Sequence, residues 1–114
     1  MSSNPPPDAT DDAFRALADP TRRRILDLIA EHDRLSVGEL AAHFPALVES
    51  GISKHLMVLR AAHLVVAERE GRRRIYRLDG EGLARALQPW MRRYENLWDR
   101  PLALLQSLAE DTST

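Results

Sequence analysis

The sequence predicts a mainly α-helical fold with one small β-hairpin before the last helix, in the order α-α-α-α-β-β-α. Three observations carry this. Apolar residues recur at three- and four-residue steps through most of the chain. The segment from Val65 to Leu78 instead alternates about a glycine turn. Aspartate–proline and serine–glutamate punctuation divides the helical stretches into short pieces. With 114 residues, 44% hydrophobic and 29% charged, the composition suits one soluble domain rather than two.

Met1 to Asp12 is rich in serine, proline and aspartate and has nothing to bury, so residues 1–12 read as a disordered tail. It has no basic residue and no apolar core segment, so it is not a secretory signal, and a cytoplasmic location is expected. Helical spacing starts at Ala13, Phe14 and Leu17, with Thr10 or a neighbouring aspartate as cap. Asp19-Pro20 restarts the chain as a second helix. Aspartate caps it, and proline at the first helical position loses only an amide that had no partner. Ile25, Leu26, Leu28 and Ile29 form its buried stripe.

Ser36-Val37-Gly38-Glu39 has capping-box spacing, and Val37, Leu40, Ala41 and Phe44 line one face of a third helix that Pro45 stops. Ser50 is placed to cap a fourth helix, with Ile52, Leu56, Leu59 and Leu64 turned inward. Its other side shows Ser50, Ser53, Lys54, Met57 and Arg60. Two short helices with a brief connection, the second polar outward, have helix-turn-helix form. A two-residue turn at Glu70-Gly71 pairs Ala67 with Arg74 and Val65 with Tyr76, leaving Val65, Ala67, Tyr76 and Leu78 on one face. Asp79 caps a last helical region whose stripe runs from Leu83 through Leu108, with Pro89 and Pro101 expected to kink or divide it. The body formed by residues 13–78 is too small to cover that stripe. A partner surface is the natural cover for Trp90, Tyr94, Leu97, Trp98, Leu102 and Leu105, and Phe14 with Leu17 near the N-terminus can join it. The domain thus spans residues 13–109, with 110–114 as a disordered tail.

Charge locates the candidate site. The chain carries −1 overall, yet residues 50–78 hold seven cations against Glu68 and Glu70, a net +5. A basic block inside an acidic protein is an electrostatic footprint for nucleic acid. Ser50, Ser53 and Lys54 are small polar or cationic side chains at the start of a helix, the type that reaches base edges and phosphates in a major groove; Arg60 follows on the same side. His55 has two available roles, a phosphate contact or packing between helices. Arg69, Arg72, Arg73 and Arg74 at the hairpin tip suit a wing that follows the backbone or enters the minor groove. Arg22, Arg23 and Arg24 spread over three helix faces, so at most two can reach DNA. Glu49 suits a helix start but repels phosphate.

Other chemistries find little support. There are no cysteines, which removes disulfides and thiolate ligands. His32, His43, His55 and His63 fall in no ligand spacing, and no metal or other cofactor is expected. No glycine-rich phosphate loop, nucleophile elbow or His-Glu-x-x-His segment marks an enzyme. No apolar run is long enough to span a membrane.

The residues from Phe14 to Leu26, which include Ala18-Asp19-Pro20-Thr21-Arg22, resemble the opening signature of the ArsR/SmtB family of winged-helix repressors. Ser36-Val37-Gly38-Glu39-Leu40-Ala41 resembles the family's first helix-turn-helix element. Ile52-Ser53-Lys54-His55-Leu56 resembles its recognition helix, and Glu70-Gly71-Arg72-Arg73 with Tyr76-Arg77-Leu78 its wing. The resemblance covers roughly residues 13–109 and implies a homodimer, built through the first and last helices, that represses by binding operator DNA. By position it implies Ser53, Lys54 and His55 in the reading helix and Arg72 and Arg73 in the wing. The chain differs from the family in a longer turn from Pro45 to Gly51 and in lacking the cysteine and Asp-x-His metal motifs. A metal-independent, sequence-specific DNA-binding repressor follows, and a small-molecule effector is allowed but not named. The alternative is a winged-helix protein-interaction module without DNA binding.

Overall fold

The computed structural model describes residues 8–95 and 97 of the chain. Along them run α1 (Ala9–Leu17), α2 (Pro20–His32), β1 (Leu35–Ser36), α3 (Val37–Ala41), α4 (Glu49–Ala61), β2 (Val65–Glu70), β3 (Arg73–Leu78) and α5 (Gly80–Arg93). The sheet is antiparallel in the order β1-β3-β2. Ile25, Leu28, Ile29, Leu40, Ile52, Leu56, Leu59, Leu64 and Val65 are fully buried where the helices meet the base of the hairpin. Each such side chain contributes about 1.5–3 kcal/mol through burial.

Most helix boundaries follow from their caps. Asp19 accepts from the Arg22 amide at 3.0 Å, with Pro20 leading α2. Ser36 and Glu39 complete the capping box in both directions, at 3.1 and 2.9 Å. The Asp79 carboxylate accepts from the Gly82 amide at 2.8 Å to open α5. Helix α1 begins at Ala9, earlier than the expected start at Ala13, because Asp8 caps it by accepting from the Asp11 amide. Its first turn is polar, so no apolar spacing announces it.

The Leu59–Leu64 corner has Schellman geometry: the Leu64 amide donates to the Leu59 carbonyl and the His63 amide to that of Arg60, both at 3.0 Å. His63 takes the left-handed conformation there, with φ of 62°. The start of α5 presses on this corner. A Cβ on Gly82 would lie 1.9 Å from the His63 carbonyl oxygen, so only glycine fits.

Two expectations are corrected. Leu35 and Ser36 form a third strand against Tyr76 and Ile75, a pairing between distant segments that local patterning does not reveal. The hairpin turn falls at Gly71-Arg72, so Ala67 faces Tyr76 and Val65 faces Leu78. The reason is Gly71, whose φ of 64° supplies the left-handed residue at the first loop position instead of the second. Moving the turn changes partners but not parity, so Val65, Ala67, Tyr76 and Leu78 still share one face. Pro89 lies inside α5, which runs on to Arg93; Pro101 lies outside the described residues.

Candidate nucleic-acid interface

Helix α4 is amphipathic in the expected sense. Ile52, Leu56 and Leu59 are buried, while Ser50, Lys54, Met57 and Arg60 are exposed and Ser53 is half-buried. Its start differs from expectation. Val48 is the cap residue and offers no side-chain hydrogen bond; Ser50 lies inside the first turn and does not cap. The Gly51 and Ile52 amides both turn back to the Val48 carbonyl. The Glu49 and Ser50 amides therefore meet no acceptor among the described residues, leaving part of the positive helix end unfilled.

His55 turns to the side of α4. Its Nδ1 lies 3.5 Å from Nη1 of Arg22, so the residue packs between α2 and α4, one of its two expected roles. Arg22 itself belongs to the scaffold. Its Nε donates to the Ala16 carbonyl at 2.6 Å and its Nη2 to the Arg15 carbonyl at 3.1 Å. Arg23 donates to the Leu17 carbonyl at 2.6 Å. Both cations satisfy carbonyls at the C-terminal end of α1, where the helix dipole favours positive charge. Arg24 is exposed.

The two faces of the hairpin carry their charges differently. On one face Arg73 reaches Glu39 Oε1 at 2.8 Å and Ser36 Oγ at 3.1 Å. Arg34 pairs with Glu70, and Arg77 lies 3.5 Å from Glu68. This face is neutralised from within. On the other face, Arg69 and Arg74 are direct cross-strand partners beyond the apolar base, and Arg72 stands in the turn. None of these three, nor Lys54 or Arg60, has an acidic partner among the described residues. Arg73, expected at the tip with its neighbours, is thus separated from them. Arg34 and Glu39 enter the picture only here, because their partners come from the distant hairpin.

Two carboxyls respond to these surroundings. Glu39 is held below its ordinary 4.5, chiefly by the Ser36 amide and hydroxyl, with Arg73 adding to the effect. Asp19 is held below 3.8, chiefly by the Arg22 amide, with partial desolvation opposing and the charges of His55 and Arg22 assisting.

The candidate dimer residues divide. Phe14 packs edge-on against Trp90, with ring centroids 5.2 Å apart, and Tyr94 tilts against Trp90 at 5.4 Å. Phe14 on α1, Met91 on α5, and Tyr94 and Leu97 just past the end of α5 remain exposed. Leu17 instead packs on the core of its own chain. Trp98, Leu102 and Leu105 lie outside the described residues. Among the described residues no three His, Asp or Glu side chains converge as a metal site, and no helix is long and apolar enough to cross a membrane.

A helix-turn-helix domain model matches residues 17–68. The chain is 43% identical over 106 residues to the HTH-type transcriptional regulator Rv2034 of Mycobacterium tuberculosis, covering 90% of this chain and 94% of that protein. It is 36% identical over 89 residues to the transcriptional repressor SdpR of Bacillus subtilis, covering 78% and 96%. Among solved structures it is similar to the homodimeric winged helix-turn-helix DNA-binding domain Mb0332 of Mycobacterium bovis, described as a possible ArsR-family regulator. That match has a TM-score of 0.61 at 28% identity and covers 100% of this chain and 94% of the other.

Proposed function

Because the chain belongs to the ArsR family of winged helix-turn-helix transcriptional regulators, a DNA-binding and non-enzymatic class, we propose that it acts as a homodimeric repressor of specific operators. In this reading α4 lies in the major groove. Ser50, Ser53 and Lys54 approach base edges and phosphates, and Arg60 approaches the backbone. Arg69, Arg72 and Arg74 carry the wing onto the adjacent backbone and minor groove.

One observation carries the assignment. Arg69 and Arg74 stand opposite each other in a two-stranded ribbon with no acid between them. Like charges in that register destabilise a hairpin, whereas a phosphate between them converts the repulsion into two charge-assisted contacts. The unfilled start of α4 offers a further phosphate position of the same sign.

The exposed apolar residues Phe14, Met91, Tyr94 and Leu97 support a two-fold dimer, in keeping with the homodimeric relative. Such a dimer sets the two reading helices about 34–36 Å apart, matching successive major-groove faces of an inverted repeat. Repression is supported by the similarity to SdpR, and a cytoplasmic site of action by the class of target. Fluorescence anisotropy on DNA from upstream of the protein's own gene, over a salt series, tests the reading. Lys54→Ala is expected to weaken binding severalfold while sedimentation still shows a dimer. Binding that is indifferent to both salt and Lys54→Ala would sink it.

A further inference from the structure

Resting on the reading of the wing as a DNA-binding element, we infer that Arg73 is a positioning residue that clasps the wing to the start of α3, and that it is not itself a phosphate ligand. Four observations converge on this. Arg73 is the cross-strand partner of Glu70, directly beside the Gly71-Arg72 turn. Both members of that pair are tied to the same short segment of chain. Glu70 pairs with Arg34, and Arg73 donates to Ser36 Oγ and Glu39 Oε1 at 3.1 and 2.8 Å. The segment is rigid where Arg73 lands, because Ser36 and Glu39 are the two halves of the α3 capping box. Strand β1 within it also pairs with β3 at Ile75 and Tyr76.

The geometry separates three consecutive arginines by the two-residue period of the strand and its turn. Arg73 points to the anchoring face. Arg74 points to the opposite face beside Arg69, and Arg72 sits in the loop. A two-stranded ribbon extending from a small sheet is free to twist. Two oppositely signed ties at its last cross-strand pair hold the tip against such twisting and keep Arg69, Arg72 and Arg74 turned outward. Glu39 is shared: the same oxygen that receives the Ser36 amide receives Arg73. The cap of the first helix of the helix-turn-helix is thereby joined to the wing.

Salt dependence separates positioning from contact, since the slope of log affinity against log salt counts phosphates neutralised. The test uses the full-length protein on its own upstream DNA and compares wild type with Arg72→Ala, Arg73→Ala, Arg73→Lys and Glu39→Gln. Glutamine keeps an acceptor for the Ser36 amide, so Glu39→Gln spares the capping box while removing the charge that holds Arg73. Thermal unfolding identifies the variants that remain folded. Arg72→Ala is expected to reduce the slope by about 0.9. Arg73→Ala and Glu39→Gln are each expected to lower affinity about threefold, the change that follows from losing an exposed ion pair, with the wild-type slope retained. Arg73→Lys should recover part of that loss.

A slope reduced by about 0.9 in Arg73→Ala overturns the inference, because it makes Arg73 a phosphate ligand. Wild-type affinity in Glu39→Gln also overturns it, because the clasp then has no bearing on binding. If Arg72→Ala keeps both the wild-type slope and affinity, the wing does not contact DNA. The underlying reading then fails, and the inference with it. These outcomes are distinct in the Arg72 and Arg73 arms.

Discussion

Three consecutive arginines occur twice in this chain, at 22–24 and at 72–74, and the two runs do opposite things. The first lies in the opening turn of α2. There Arg22 and Arg23 fold back onto the Arg15, Ala16 and Leu17 carbonyls at the end of α1. The second lies across a hairpin turn and strand. There Arg73 is fastened inward while Arg72 and Arg74 project from the tip. Charge density does not distinguish the runs. What does is the period of the host element and the acceptors within reach. A helix turns successive side chains by roughly 100°, and here two of three directions meet orphan carbonyls. A strand alternates, so its neighbours part cleanly between two faces. A run of cations therefore marks a nucleic-acid surface only after the local acceptors have been subtracted.

The largest effect that can break this comparison is expected at the second run. Replacing Arg69, Arg72 and Arg74 together by alanine should flatten the salt dependence of DNA binding by about 0.9 for each arginine that meets a phosphate. Thermal stability should hold or rise slightly, because the unshielded Arg69–Arg74 pair is removed. Anisotropy across a salt series and a melting curve on the same sample read both quantities. A triple variant that melts early and binds with an unchanged slope would make the wing arginines structural, like the first run.

Arg22→Ala should show the converse. It removes two hydrogen bonds from a charged donor to helix-end carbonyls and the contact with His55. A loss of about 1–3 kcal/mol in denaturant unfolding is expected, with the salt slope of DNA binding unchanged. Lysine should not restore it, since a single ammonium lacks the planar fork that spans the two carbonyls. Arg23, exposed and bonded to one carbonyl, should lose roughly 0.5–1 kcal/mol as alanine. Arg24→Ala should change stability by no more than about 0.5 kcal/mol. Equal losses at all three positions would mean that the run acts through bulk charge and not through the α1 carbonyls.

The sequence revealed elements with a local cause and missed those with a distant one. Asp19-Pro20, Ser36-x-x-Glu39 and Asp79 act within a few residues of themselves, and each caps the helix expected of it. Ile52, Leu56 and Leu59 face the core because helical spacing places them on one side. The apolar face of the hairpin was also legible despite a misplaced turn, since side-chain parity is the same in both registers. The β1 pairing, the Arg34–Glu70 tie and the Arg73–Glu39 clasp each join segments more than thirty positions apart, and no local pattern encodes them. The family resemblance likewise placed Arg72 and Arg73 together in the wing without showing that their side chains separate. Ser50 was read as a cap from residue type alone. The backbone turns into α4 two residues earlier, at Val48.

The smallest effect expected is in acid, and it bears on both runs because a carboxylate stands beside each inward arginine. Asp19 receives the Arg22 amide, Glu39 receives Arg73, and both are held below their ordinary values of 3.8 and 4.5. The unfolded chain, at those ordinary values, takes up protons first as pH falls. The stability contributed by the two carboxylates is therefore complete above about pH 4.5, begins to fade there, and disappears as the folded-state values are passed. Asparagine preserves a side-chain oxygen at the cap but cannot titrate. Asp19→Asn should thus be modestly less stable than wild type in urea at pH 7, and the difference should shrink when the pair is compared below pH 3.8. If the difference is the same at both pH values, the carboxylate charge contributes nothing and Asp19 acts only as a neutral acceptor. The link between the first arginine run and its neighbouring acid would then be an uncharged hydrogen bond, and of the two acids only Glu39 would hold its arginine through charge.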